Sequence, residues 1–194
     1  ERGRGLDHYE HLSGIKNVRI SHIVDIDERH FSTSVPYARS KWGGDPKTET
    51  DFRRVLEDKD VDAITIAAPD HWHALMTIWA CQAGKDVYVE KPISHNIVEG
   101  RRMIETARRN NRIVQVGTQW RSSKQMQEAI AYVHSGKLGR IRQVRNWAYL
   151  DWFTGVGRPA DTDPPPGVDY DMWLGPAPKR PFNPARFHFN FRWF

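Results

Sequence analysis

Short apolar runs that alternate with helical segments predict an α/β protein built on a doubly wound parallel sheet, followed by the start of a smaller α+β domain. Two observations carry this. Strand-forming runs recur at residues 20–27, 61–69, 87–89 and 113–117, and helical apolar spacing fills the stretches between most of them. The runs are also nearly continuous in apolar character rather than alternating, as strands buried on both faces of a parallel sheet must be.

The elements follow in order. Residues 6–12 fit a helix with no strand before it, and residues 20–27 (ISHIVDID) form a strand that finishes in Asp25 and Asp27. Residues 61–69 (VDAITIAAP) read as a buried strand stopped by Pro69, and the helix after it carries Leu75, Ile78 and Trp79 on one face and closes at Gly84. The strand at 87–89 ends abruptly in Glu90-Lys91-Pro92; a helix with Ile97, Ile104 and Ala107 on one face leads to the strand at 113–117. Beyond Gly117 a helix with Met126, Ala129, Ile130 and Val133 on one stripe, closed by Gly136, runs into a strand-like stretch at 141–150. Residues 161–184 are rich in proline, glycine and aspartate and read as an irregular excursion. The sheet-and-helix alternation stops near Trp120, which divides the chain into domains at 1–119 and 120–194.

Composition narrows the function. With 194 residues, 39% of them hydrophobic, the chain can bury a core and fits one domain plus part of another. Lacking any run of some eighteen apolar residues, it predicts no membrane span. The single cysteine, Cys81, forms no internal disulfide and builds no cysteine zinc site; it reads as a small core residue. A net charge of +5 would favour nucleic acid if the basic residues clustered, but Glu99 and Glu105 interleave with Arg101, Arg102, Arg108, Arg109 and Arg112. No nucleic-acid partner is therefore expected.

Candidate chemistry sits where strands end, because open parallel sheets bind ligands beyond the carboxyl edge. Gly3 and Gly5 precede the first helix without a strand in front. Gly3 reads as the third glycine of a G-x-G-x-x-G phosphate loop whose first strand and first two glycines are missing. That strand is central in the expected order, so residues 20–25 and 62–67 should lie about two strand spacings apart, roughly 9 to 10 Å. Asp25, 22 positions after Gly3, has near the spacing of a carboxylate that bonds an adenosine ribose. Alternatively, Asp25 and Asp27 merely end a strand and open a turn. Asp25 points to NAD as the cofactor, while Arg29 stands close enough to take the 2'-phosphate of NADP. His71 and His73, in H-x-H spacing, admit a metal reading, but no third ligand or cysteine accompanies them, so no metal is expected.

Glu90-Lys91-Pro92 resembles the EKP signature of the Gfo/Idh/MocA oxidoreductases, and Ala68-Pro69-Asp70-His71-Trp72-His73 resembles that family's T-P-N-x-x-H segment with Ala68 and Asp70 as departures. Gln115 to Arg121, Gly136 to Ile141 and Asp171 to Pro178 extend the similarity over nearly the whole chain.

The resemblance implies a Rossmann domain, a nicotinamide cofactor, and hydride transfer between that cofactor and a carbinol carbon of a sugar or cyclic polyol. It implies Lys91 as the catalytic residue, near both the nicotinamide and a substrate hydroxyl, with the Lys91–Pro92 peptide cis. Cofactor contacts fall to Gly3, Asp25, Pro69, Asp70, His73, Glu90, Lys91, Pro92 and Gln119. Arg121 is a substrate candidate, or equally a salt-bridging residue at the boundary. A lysine whose pKa is lowered by burial and a neighbouring cation could accept the hydroxyl proton, and a protonated one could stabilise developing alkoxide charge.

A solvated lysine after a strand is the bland alternative. The family's further catalytic Asp/His pair is expected beyond Phe194, which makes the chain a fragment. Five tryptophans at 120, 147, 152, 173 and 193 suit sugar stacking, a core or an oligomer interface equally well. Other readings are a noncatalytic NAD-binding sensor and a glycoside-cleaving relative that retains NAD. A homo-oligomer through the C-terminal domain is expected. The compartment is cytoplasmic by default, with twin-arginine export to the periplasm as the alternative.

Overall fold

The computed structural model describes residues 4–147 and 157–193. Helix α1 (Arg4–Ser13) and strand β1 (His22–Val24) lead into α2 (Phe31–Trp42), β2 (Lys47–Glu49) and α3 (Phe52–Leu56). The chain then alternates β3 (Ala63–Ile66), α4 (Asp70–Gln82), β4 (Asp86–Glu90), α5 (Ile97–Arg109) and β5 (Val114–Gly117), with α6 (Lys124–His134) and α7 (Tyr170–Leu174) beyond.

All strand pairs are parallel, in two groups ordered β1-β2 and β3-β4-β5. β1 and β3 do not pair, in line with the expected order. β2 and α3 are elements that apolar patterning misses. Lys47-Thr48-Glu49 is polar, and it forms a strand because β1 supplies a ladder at His22↔Lys47 to Val24↔Glu49. Asp51 then caps α3 by accepting from the backbone N–H of Arg53.

The core lies between the β3-β4-β5 sheet and α4 and α5. Ile66, Val87 and Val89 meet Ala74, Ala80, Cys81, Met103 and Ala107 there. Each fully buried valine or isoleucine contributes about 1.5–3 kcal/mol of transfer free energy. The opposite face carries Thr65 and Tyr88 and is covered in part by α1, so these strands are less two-sidedly buried than their sequence predicts.

Two helical stripes are shifted from expectation. On α5 the buried residues are Met103 and Ala107, while Ile97 at the first helical position is 91% exposed. On α4 the sheet takes the small residues Ala74, Ala80 and Cys81, which let the helix approach closely, with Thr77 buried as well; of the expected stripe Ile78 packs against this core while only partly buried.

Residues 141–147 form no strand, contrary to the sequence reading, and 148–150 lie outside the described residues. A strand needs a neighbour to satisfy its backbone, and among the described residues none pairs with this stretch. α6 forms as expected, yet none of its residues is buried.

The irregular stretch after residue 160 is well packed. Trp173, Leu174, Phe182 and Ala185 are buried, and the segment docks on the sheet domain. The Trp72 indole N–H donates to Met172 O at 2.9 Å, Glu28 N to Gly167 O at 2.9 Å and Asp169 N to Ile26 O at 2.8 Å.

Candidate active site

Strand register builds the site. Ile66 sits beside Val89, Val89 beside Val116 and Glu90 beside Gly117, so β3, β4 and β5 finish at one edge. That brings Pro69-Asp70 at the start of α4, Glu90-Lys91-Pro92 after β4, and Thr118-Gln119 after β5 to the same side. In the other sheet Asp25 directly follows β1, and its backbone N–H reaches Glu49 O at 3.1 Å.

Glu90 is the buried acid of this edge, 9% exposed. Its Oε1 accepts from His8 Nε2–H at 3.2 Å, and His8 Nδ1 in turn meets the Thr65 hydroxyl at 3.2 Å. The His8 ring also stands edge-on to Tyr88, with centroids 5.3 Å apart. Among the described residues Glu90 Oε2 is buried without a hydrogen-bond partner. Gly117 is required beside it, since a Cβ there would come within 2.9 Å of Glu90 Oε1 and 2.8 Å of the Tyr88 hydroxyl.

His73 ties two loops together. Its Nδ1 lies 2.6 Å from Pro92 O and its Nε2 2.8 Å from Ala68 O, and the ring is 2% exposed. His71 Nε2–H donates to Trp173 O at 2.9 Å, and burial pushes its imidazole pKa down. The H-x-H pair is thus directed at backbone carbonyls. The Lys91–Pro92 peptide is cis. Lys91 is exposed rather than buried, and Pro92, Gln119 and Arg121 are exposed as well. Gly3 lies outside the described residues.

Around the end of β1 the acids and bases interlock. Asp25 Oδ1 accepts from Asp27 N at 3.0 Å, and Asp25 Oδ2 from His30 Nδ1–H at 2.8 Å. That bond, with the charge of Asp25 behind it, raises the His30 pKa. Asp27 is fully buried, which alone would raise its pKa, but bonds from Arg29 and His188 and the charge of His30 outweigh burial and hold the carboxyl well below the usual range. Arg29 Nε and Nη2 grip it at 2.7 and 2.6 Å, Arg29 N adds a bond at 3.2 Å, and His188 Nε2–H donates at 2.9 Å. Burial lowers the His188 pKa, opposed by its bond to Asp27. Ligand-type atoms of Asp27, His30 and His188 lie within 4.8 Å of one another. With four donors on its two oxygens, however, Asp27 has its acceptor capacity filled and offers a cation little.

Sequence reasoning overlooked His8 and His188. A histidine on the covered face of a short helix is a weak signal, and its partner Glu90 is 82 positions away. His188 meets Asp27 across 161 positions, a pairing that no local pattern encodes.

Comparison with known proteins gives this geometry a setting. Residues 4–118 match the oxidoreductase family with an NAD-binding Rossmann fold, and residues 124–194 match the C-terminal alpha/beta domain of the same family. A levoglucosan dehydrogenase of Pseudarthrobacter phenanthrenivorans is 29% identical over 116 residues, 60% of this chain and 30% of that protein. A glycosyl hydrolase family 109 protein of Shewanella pealeana is 29% identical over 115 residues, 56% of this chain and 25% of its own length. The crystal structure of myo-inositol 2-dehydrogenase from Lactobacillus plantarum superposes with a TM-score of 0.61 at 28% identity, covering 71% of this chain and 40% of that one. The chain therefore spans between a quarter and two fifths of these proteins. With its Rossmann half and its second-domain segment both matched, the chain belongs to the Gfo/Idh/MocA oxidoreductase family.

Proposed function

We propose that the protein is an NAD-dependent dehydrogenase that oxidises a carbinol carbon of a sugar or cyclic polyol. The single observation that carries this reading is the common edge at which β3, β4 and β5 end, with Lys91 exposed on it and the unpartnered Glu90 Oε2 beside it.

The residues fit the cofactor. Asp25 at the end of β1 suits the adenosine ribose, Pro69 and Asp70 open a helix whose N-terminus faces the edge, and the orphaned Glu90 oxygen awaits a donor. Pro92 and Gln119 flank the same opening, and Gly3 belongs with the phosphate loop. When bound, the nicotinamide supplies the hydride acceptor. Lys91 then has two tasks: its amine meets the substrate hydroxyl and takes or shares its proton, which must leave as the C–H bond gives up its electrons. His73 steadies the Lys91 segment by holding Pro92 O against Ala68 O. Arg121, exposed just past β5, is a candidate for substrate hydroxyls.

We place the domain boundary near Trp120, and we assign homo-oligomer contacts to the C-terminal part, on the strength of the exposed Met126, Ile130 and Val133 of α6. Among the described residues no helix is long and apolar enough to cross a membrane.

The test is incubation with NAD and a panel of sugars and inositols, following the absorbance of the reduced nicotinamide. Lys91→Ala should abolish turnover while cofactor binding persists; equal loss of both would leave Lys91 a binding residue only. The family 109 relative supports a second reading, glycoside cleavage with retained NAD. That reading gains if sugar is released from a glycoside while no reduced cofactor accumulates.

A further inference from the structure

Arg29, four positions past Asp25, is the cation that would receive the 2'-phosphate of NADP. Its inward edge is already committed. Its Nε and Nη2 form a two-pronged ion pair with Asp27 at 2.7 and 2.6 Å, and its own backbone N–H binds the same carboxylate. The acid it holds is 0% exposed, and His188 Nε2–H fills the remaining acceptor position at 2.9 Å. The Arg29 side chain is half exposed and its outer edge stays open, but the buried acid neutralises its charge and fixes its orientation, and the inward edge could turn to a phosphate only by leaving a carboxylate that has no access to water. Removing one partner of a buried ion pair leaves an uncompensated charge, among the costliest changes available to a folded chain. The loop also cannot shift to compromise, because Glu28 N bonds Gly167 O and Asp169 N bonds Ile26 O on its far side. What the ribose end presents is therefore the Asp25 carboxylate beside two cationic side chains that are each already paired, His30 with Asp25 and Arg29 with Asp27, a surface that favours a diol over a phosphate dianion.

We propose that Asp27 withholds Arg29 from the 2'-phosphate and so makes the protein select NAD over NADP, with His188 of the C-terminal segment holding Asp27 in place. Cofactor choice is then set by a buried acid that touches no cofactor and is locked from the second domain. The inference rests on the NAD-binding reading above.

Calorimetric titration of the protein with NAD and with NADP tests it without any turnover. The wild type should bind NAD more tightly than NADP. Asp27→Asn, which keeps the side-chain volume but lessens the hold on Arg29, should move the ratio towards NADP by about tenfold, equivalent to ~1.4 kcal/mol. Arg29→Gln on that background should erase the gain. Arg29→Gln alone should leave NADP affinity unchanged, since a withheld arginine contributes nothing; Arg29→Lys, which keeps a cation beside the buried Asp27, should do the same and decides the matter if the other variants fail to fold. A several-fold loss of NADP affinity in Arg29→Gln, or an unmoved ratio in a folded Asp27→Asn, overturns the proposal while leaving NAD binding intact. If the wild type binds neither nucleotide, the dehydrogenase reading falls and this inference with it.

Discussion

His8 on α1 and Glu90 at the end of β4 meet at 3.2 Å across 82 positions of sequence, joining the first helix to the strand that precedes Lys91. Both side chains are about nine-tenths buried. Among the described residues Glu90 Oε2 has no partner, and His8 holds the acid through Oε1.

Removing His8 should therefore cost more than its packing. His8→Ala leaves both Glu90 oxygens unsatisfied in a buried site, for which about 1–3 kcal/mol of lost stability is expected. His8→Gln can still donate from near the Nε2 position and should recover part of that loss. Urea unfolding of the two variants measures the difference; equal stability would mean that the bond contributes nothing.

Gly117 bears on the same carboxylate from β5. Gly117→Ala puts a methyl 2.9 Å from Glu90 Oε1 and 3.2 Å from its Cδ, closer than packed atoms tolerate. The expected destabilisation is about 1–3 kcal/mol. Combining it with Glu90→Ala should be less harmful than the sum of the two single changes, because the alanine removes the two carboxylate atoms that the methyl strikes and leaves only the Tyr88 hydroxyl, 2.8 Å away, to give way. Strict additivity in a double-mutant cycle would show that the strain lies elsewhere.

Much of this architecture was legible because it is local. The strand at 86–90 announces itself by Val87, Val89 and the break at Pro92, and parallel register alone then carries Glu90 and Pro69 to a shared edge. That Asp25 closes its strand was readable from the apolar run before it. β2 was not, since Lys47-Thr48-Glu49 has no apolar face and exists only through its pairing with β1. The Asp27–His188 bond was hidden for another reason: 161 positions separate its ends, and the intervening proline-rich stretch looks unstructured until Trp173 and Phe182 are seen buried. Burial was also where the sequence misled, as Lys91 is exposed and Ile97 faces solvent.

Gly175 fixes how the C-terminal segment seats on α4. Its φ is +48°, outside the range that side chains readily adopt, and a Cβ would collide with the Trp72 indole. Trp72 cannot easily yield, because it packs edge-on to Phe52 at 5.8 Å and donates to Met172 O. Gly175→Ala should destabilise by about 3 kcal/mol or somewhat more, from overpacking and backbone strain together. Thermal unfolding followed by tryptophan fluorescence reads this directly; an unchanged midpoint would show that the segment seats by other contacts.

The two histidines flanking Asp27 should titrate in opposite directions. His30 is raised above its ordinary 6.5 by its bond to Asp25, so its stabilising contribution is complete below about 6.5 and is lost as pH rises through the folded value. His188 is lowered by burial, so its contribution is present above about 6.5 and is lost as pH falls through its folded value. Their opposing slopes partly cancel near neutrality, leaving acid instability to Asp27, whose depressed pKa contributes above about 3.8 and is lost below it. Proton NMR of the histidine Cε1–H resonances separates the two: His30 should titrate above His188, and Asp25→Asn should bring His30 down while changing His188 far less. Coincident titration of both rings in the wild type would show that Asp25 does not hold His30, and that the interlocked carboxylates at the end of β1 are not ordered in solution as described.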